Sequence, residues 1–521
     1  MSANGRVASV LLASSEVVPF AKTGGLADVC GSLPPALARR GHRCAVILPL
    51  YRCAKEGGFG LNPTEHVLQV PLGGTTIPAR LWRGTLPDSD VPAFLVEQPD
   101  FYERDDPARK WGIYVRPERD GRLADYPDNC ERFAFFCRAV LEAAPHVGFT
   151  PDVIHANDWQ TGLVPVYLRE LYRTRPHLSR AASLFTIHNM AFQGVFPAEK
   201  LPVTGLGWHL FNIEQLEYYG HFSFLKGGIV FADWINTVSP TYAKEIQTKY
   251  FGLGLHGVLF ARSHRLSGIV NGIDARVWNP ADDPHLNGRR YDADSFETGK
   301  PLCKADLQRE LGLAAEPRTP LLAVIARLTP QKGVHLILGA AERLIGLGAQ
   351  LVVLGTGDKE FERQLPPLAE RFPGRVAVRL EYDEGLAHRI EAGADIFLMP
   401  SEYEPCGLNQ LYSLRYGTPP VVRATGGLVD TVTDATEENI RKGTATGFVF
   451  VPPSADALAE AAGRAVEMYR HRPEVFRQLI RTGMRQDWSW DRSAAGYEDL
   501  YLRLIAERDA RAVGLHRGRP R

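Results

Sequence analysis

Short apolar, β-branched runs alternate with helical patterns along this chain, and they do so in two successive series. The first series reads VASVLLAS (7–14), CAVILPLY (44–51), AFLVEQ (93–98), DVIHAND (152–158), ASLFTIHN (182–189) and WINTVS (234–239). The second begins with SGIVNG (267–272) and continues through LLAVIARL (321–328), QLVVLGTG (350–357), VAVRLEY (376–382), DIFLMPSE (395–402) and PPVVRAT (419–425). Strands that are apolar on both faces and separated by helices belong in parallel sheets covered on both sides. The expected class is therefore α/β, with two doubly wound domains facing each other across a cleft. A length of 521 residues suits two hydrophobic cores better than one. The helices carry the matching pattern: in DNCERFAFFCRAVLEAA (128–144), Phe133, Phe136, Cys137, Val140, Leu141 and Ala144 form one core-facing stripe.

Composition narrows the partners. Lys+Arg and Asp+Glu both number 60, so no global charge steers the chain toward nucleic acid or an anionic membrane, and an anionic ligand has to be held by local groups. The seven cysteines form no C-x-x-C pair and suit free thiols. No signal-like or membrane-spanning run is present, which points to a cytoplasmic protein. The tail RAVGLHRGRPR (511–521) reads as a mobile end.

Open parallel sheets bind ligands beyond the carboxyl ends of their strands, so the residues there are the candidates. After the first strand comes SEVVPFAKTGGLADV (15–29), where Gly24 and Gly25 let the backbone approach a bulky group and a helix from Leu26 offers its amides and dipole. Phosphate fits such a place, with Lys22 adding a full charge. The alternative is a surface lysine beside a helix-starting turn. In ARLTPQKGV (326–334), Arg327 and Lys332 can converge on one anion, or be merely solvated. In SEYEPCGLNQ (401–410), Glu404 can accept hydrogen bonds from sugar hydroxyls or stabilise developing positive charge, and otherwise is an acid favoured by a helix dipole. His188 and Asp158 are further candidates, a buried histidine satisfied by backbone being the competing account of His188. Cys406 lacks a His/Asn arrangement beside it and reads as a packing residue near the site.

FGLGLHG (251–257) matches G-x-G-x-x-G, but the preceding TYAKEIQTKY reads as helix, so a dinucleotide-binding fingerprint is rejected. The Lys22 loop is not a Walker A loop, because its lysine precedes the glycines. No H-E-x-x-H, Cys/His cluster or EF-hand spacing indicates a metal.

In order and spacing, KTGGLADV (22–29), HANDWQTGL (155–163), TIHNMAFQG (186–194), NGIDARVWNP (271–280), ARLTPQKG (326–333), EPCGLNQLYSLRYGT (404–418) and RATGGLVDTV (423–432) resemble the bacterial glycogen synthases and plant starch synthases. The resemblance implies a GT-B architecture of two Rossmann-like domains, residues 1–266 and 267–485. WSWDRSAAGYEDLYLRLI (488–505) would cross back, so that residues 486–521 complete the first. It implies transfer of glucose from ADP-glucose to the non-reducing-end 4-hydroxyl of glycogen or another α-1,4-glucan, with retention of configuration and without cofactor or metal. The catalytic set it implies is Asp158, His188, Arg327, Lys332 and Glu404. Lys22, Thr23, Gly24, Gly25 and Asp28 would serve the diphosphate side, and Trp159 and Asn189 the sugar and acceptor side. Tyr382 would lie near the adenine, and Asn271, Gly355, Ser401, Cys406, Gly407, Leu408, Thr425, Gly426 and Gly427 would complete the binding residues. Two positions depart from related patterns. Position 412, where many GT-B enzymes carry a second glutamate, is tyrosine, and Asn157 stands where histidine is equally expected and would alter acceptor contacts. Two alternatives remain: another retaining GT-B glucosyltransferase, for example one that uses UDP-glucose or makes a short glucoside, and a catalytically silent glucan-binding protein.

Overall fold

A computed structural model of the chain describes residues 6–104, 112–118 and 123–517. The chain divides into two compact units, one of Met1–Val238, Ala243–Ile269 and Trp490–Arg521, the other of Ser239–Tyr242 and Val270–Ser489. Ser239–Tyr242 go with the second unit because Ser239 Oγ donates to the Pro405 carbonyl (2.6 Å) and Thr241 N and Oγ1 both donate to the Asp430 carboxylate.

The first unit is built on a nine-stranded sheet whose order is Leu266–Gly268, Trp234–Thr237, Ala182–Ile187, Val153–Asn157, Ser9–Ala13, Arg43–Pro49, Pro92–Glu97, Thr75–Thr85, Asn62–Leu72. It is parallel as far as Pro92–Glu97 and ends in an antiparallel hairpin. That hairpin differs from the all-parallel expectation. Gly73 and Gly74 both have positive φ (+56° and +80°), the requirement of a tight two-residue turn whose twist suits the flanking strands. SGIVNG, expected to open the second series, instead closes the first sheet, since Leu266–Gly268 pairs in parallel with Trp234–Thr237.

The helix Asn129–Ala143 is buried along almost its whole length, with Phe133, Phe136, Cys137 and Val140 fully covered. The last helix, Trp490–Arg517, packs on Gly25–Arg39, buries Tyr497 and Tyr501, and is tied down by Tyr501 OH on His155 Nδ1 (2.8 Å) and by Arg40 on Glu498 (2.5 Å). It carries the chain end as helix to Arg517, where a mobile tail was expected; residues 518–521 lie outside the described residues.

The second unit holds a six-stranded parallel sheet ordered Val376–Arg379, Gln350–Leu354, Leu321–Ile325, Ile396–Met399, Pro420–Arg423, Phe448–Phe450. Its two faces feed separate cores: Leu322, Val324, Leu351 and Val353 enter one cluster, and Leu321, Ala323, Val352 and Leu354 the other. This period of two explains why these strands read as continuous apolar runs.

Each sheet has a place where the connections leave its strands in opposite directions, and such a switch point forms a ligand crevice. In the first unit it lies between Ser9–Ala13 and Val153–Asn157, in the second between Leu321–Ile325 and Ile396–Met399. Among the described residues, no helix is long and apolar enough to cross a membrane.

Candidate active site

At the first switch point, the loop from Ser14 to Gly24 is organised by a residue that the sequence reading passed over. The Glu16 carboxylate is buried and accepts from Thr23 N, Thr23 Oγ1 (2.7 Å), Gly24 N (3.2 Å) and Tyr114 OH (2.6 Å). Burial pushes its pKa up, and these hydrogen bonds oppose the rise. The amides of Thr23 and Gly24 are therefore taken by Glu16. Lys22 folds onto Asp28 in the first turn of its own helix (Nζ to Oδ1, 2.7 Å), an exposed pair. A Cβ built on Gly24 would meet no protein atom within 4 Å, so no contact inside the protein requires glycine there, and the space beside Gly24 and the exposed Gly25 is open.

Across the same switch point, Asp158 leaves its strand with φ +57°, a costly backbone conformation for a non-glycine residue. It is held by its own N–H on Thr186 O (2.9 Å) and by accepting the His188 N–H at Oδ1 (2.7 Å). Burial raises the Asp158 pKa to about 7, the His188 and Asn189 amides pulling it down and Glu16 adding to the rise. His188 is held neutral by burial, its pKa lowered to about 3. The Asn157 amide donates to Ala13 O and His155 O, which leaves its Oδ1 to accept from His188 Nε2 (3.0 Å) and sets the proton on that nitrogen. Asn157 is fully buried and its Oδ1 orients the His188 ring. Trp159 sits in an aromatic cluster with Phe133 (5.0 Å between centroids), Phe196, Phe224 and Tyr114. Asn189 is half-buried and caps the next turn through Ala191 N (3.0 Å).

At the second switch point, Lys332 Nζ meets Glu404 Oε2 at 2.6 Å, and Ser401 Oγ donates to the same oxygen (3.0 Å). Gly333, at φ +69°, makes this possible: a Cβ there would lie 2.1 Å from Pro400 O, so only glycine lets the turn Pro330–Lys332 press against the strand end. Arg327 is exposed, and among the described residues no hydrogen bond or ion pair holds its guanidinium. Gly355 and Gly426 meet a similar constraint, since their Cβ atoms would lie 1.9 Å from Ala326 O and 2.0 Å from Glu404 O. Gly427 N donates to Glu404 O (3.0 Å), so this amide is used by the fold. Thr425 is buried beside it, and Gly407 and Leu408 lead into the helix Asn409–Arg415, whose Asn409 Nδ2 bonds Ile325 O (2.6 Å).

The Cys406 thiol is buried, accepts from Asn271 N (3.4 Å) and is pushed up to about 12, as a packing residue would be. Asn271 itself is buried, with Oδ1 unpartnered among the described residues. Tyr382 is 78% exposed. Tyr412 stacks on Trp278 (3.7 Å), whose other face carries His388 (3.9 Å), so this position serves packing. Among the described residues no group of three or more His, Cys, Asp or Glu is placed to hold a metal ion.

The family profile described as the starch synthase catalytic domain matches residues 9–261, and the profile for glycosyl transferases group 1 matches residues 312–480. The glycogen synthase of Syntrophotalea carbinolica is 47% identical over 95% of this chain and 99% of its own length. The chain belongs to the glycogen and starch synthase family. Another family member, the glycogen synthase of Rhodopirellula baltica, is 44% identical over 97% of this chain and 100% of its own. Among solved structures, the catalytic domain of starch synthase IV from Arabidopsis thaliana, bound to ADP and acarbose, superposes with a TM-score of 0.86 at 35% identity, covering 96% of this chain and 100% of that one. The fold of this family member is accordingly GT-B. Glu16 and Tyr114 are the site residues its sequence did not reveal. An acid eight residues before Gly24 carries no local signal, and Tyr114 is distant in the chain.

Proposed function

We propose that the chain extends α-1,4-glucans from ADP-glucose. The bond between glucose C1 and the phosphate oxygen breaks, C1 joins the 4-hydroxyl of the non-reducing end with the α configuration kept, and the hydroxyl proton passes to a phosphate oxygen of the departing ADP. The observation that carries this reading is the second switch point, where Lys332 meets the buried Glu404 carboxylate (2.6 Å) and exposed Arg327 follows the strand Leu321–Ile325. Arg327 and Lys332 neutralise the leaving diphosphate, a charge that would otherwise raise the barrier. Glu404 and Asn271 bind the donor sugar, and Tyr382 offers its exposed ring to the adenine. Asp158 and neutral His188 serve the sugar and acceptor, and the open space at Gly24 beside Lys22 admits a phosphate. The solved structure of a starch synthase catalytic domain bound to ADP and acarbose supports an adenine nucleotide and a sugar ligand. Side-chain cations supply the charge compensation, so activity after treatment with a chelator is expected to equal that before it. None of the seven cysteines is in a disulfide, which fits a cytoplasmic site of action.

The test is incorporation of labelled glucose into glycogen from ADP-glucose and from UDP-glucose. A kcat/KM at least roughly ten-fold higher with ADP-glucose is expected, equivalent to about 1.4 kcal/mol. A preference for UDP-glucose would overturn the donor assignment. Retention on glycogen without turnover would identify a silent binding protein.

A further inference from the structure

Two helices of the second unit begin beside residues assigned above to opposite ends of the nucleotide. Helix Glu384–Gly393 follows Tyr382 and is capped by Asp383, whose carboxylate accepts from Leu386 N (2.8 Å). Helix Asn409–Arg415 follows Gly407 and Leu408, and Asn409 pins its start to Ile325 O, the end of the strand before Arg327. The segment DARVWNPADDPH (274–285) is tied to both helices.

Trp278 is the centre of that tie. One face of its indole stacks on Tyr412 (3.7 Å between centroids) and the other on His388 (3.9 Å), each pair within 10° of parallel. Asp283 repeats the arrangement with hydrogen bonds. Its buried carboxylate accepts at Oδ2 from His388 Nδ1 (2.7 Å) on one helix and from Tyr416 OH (2.5 Å) just past the other. Asn279 Oδ1 accepts from Arg415 Nη2 (2.8 Å), and Trp278 N closes its own turn on Asp274 O (2.9 Å). Sliding either helix along the indole would lose ring overlap and break a buried hydrogen bond. The sheet of this unit already has an apolar core on each face. A buried Asp–His pair adds less stability than apolar side chains of the same size would, and what it fixes is one arrangement.

We propose that Trp278 is a positioning residue for the nucleotide, setting the separation between the Tyr382 ring that receives the adenine and the cations that receive the diphosphate. This rests on the glucan-extending reading above. Trp278 acts through His388 on the helix that follows Tyr382, and through Tyr412 on the helix whose Asn409 holds the strand before Arg327. A purine covers more of a tyrosine ring than a pyrimidine does, so a fixed separation favours ADP over UDP and a slack one narrows that preference.

The experiment is calorimetric titration of ADP, UDP and inorganic pyrophosphate into the full-length parent, Trp278→Leu, Trp278→Phe, Tyr382→Ala and the double variant Trp278→Leu/Tyr382→Ala. Trp278→Leu is expected to weaken ADP roughly ten-fold and UDP less, and to leave pyrophosphate, which has no base to place, within about two-fold. Trp278→Phe keeps a flat ring and should recover most of the loss. With the Tyr382 ring gone, Trp278→Leu should cost less than about two-fold, the coupling expected of a residue that acts through another. Should Trp278→Leu not fold, Tyr412→Leu removes the half-buried partner ring and takes its place in the same cycle. Unchanged ADP affinity would overturn the proposal. So would an equal loss with and without the Tyr382 ring, or an equal loss of pyrophosphate, either of which would make the stack general packing. A parent that binds ADP but transfers no glucose to glycogen would remove the functional reading while the cycle still decides the role of Trp278. A parent that binds no ADP would overturn both.

Discussion

The two switch points solve the same problem of holding polar groups in different ways. In the first unit the groups are buried and mutually satisfied: Glu16 takes the Thr23 and Gly24 amides, Asn157 sets the His188 proton, and Asp158 is driven up to about 7 while His188 is driven down to about 3. In the second unit Lys332 pairs with the buried Glu404 carboxylate, while Arg327 is in solvent. The first side is organised before a ligand arrives, at the cost of burying groups that prefer water. The other keeps the Arg327 charge available in solvent.

That contrast makes the second unit the place where activity is lost without stability. Lys332→Ala and Glu404→Ala are each expected to lower kcat by roughly 10²–10³-fold, with a small shift in thermal midpoint; a turnover close to that of the parent would break the comparison. In the first unit the larger stability effect belongs to Asp158. Its folded pKa of about 7 lies above the ordinary aspartate value, so its contribution is fully present below about pH 4 and lost as pH rises through 7. Asp158→Asn should therefore gain on the parent by roughly 2–4 kcal/mol between those limits, read as diverging thermal midpoints at pH 5 and pH 8; parallel midpoints would contradict it. Glu16→Ala strands the Thr23 and Gly24 amides, leaves Tyr114 OH with Ser15 Oγ alone, and should cost about 1–3 kcal/mol in urea unfolding. The smallest effect is expected from Asp28→Asn, which opens an exposed pair worth at most about 0.5 kcal/mol.

The parallel strands were legible because both faces are buried, leaving runs such as LLAVI and QLVVL with no polar interruption. The hairpin 62–85 escaped the same reading because its strands are half exposed and alternate, although Gly73-Gly74 marked its turn. SGIVNG is too short to declare which sheet it joins, and its neighbour Trp234–Thr237 decided that. Arg327, Lys332 and Glu404 were legible because each follows an apolar strand within a few residues. What lay beyond the sequence was the set of contacts between distant segments: Glu16 with Tyr114, Asn157 with His188, and Trp159 drawn into an aromatic cluster by Phe133, Phe196 and Phe224.

The most direct measurement is calorimetric titration of ADP into the parent, Lys332→Ala and Asp158→Asn. If Arg327 and Lys332 supply most of the charge for the diphosphate while Asp158 and His188 serve sugar and acceptor, Lys332→Ala weakens ADP by at least roughly ten-fold and Asp158→Asn leaves it within about two-fold. ADP affinity lost in Asp158→Asn and kept in Lys332→Ala would contradict that division.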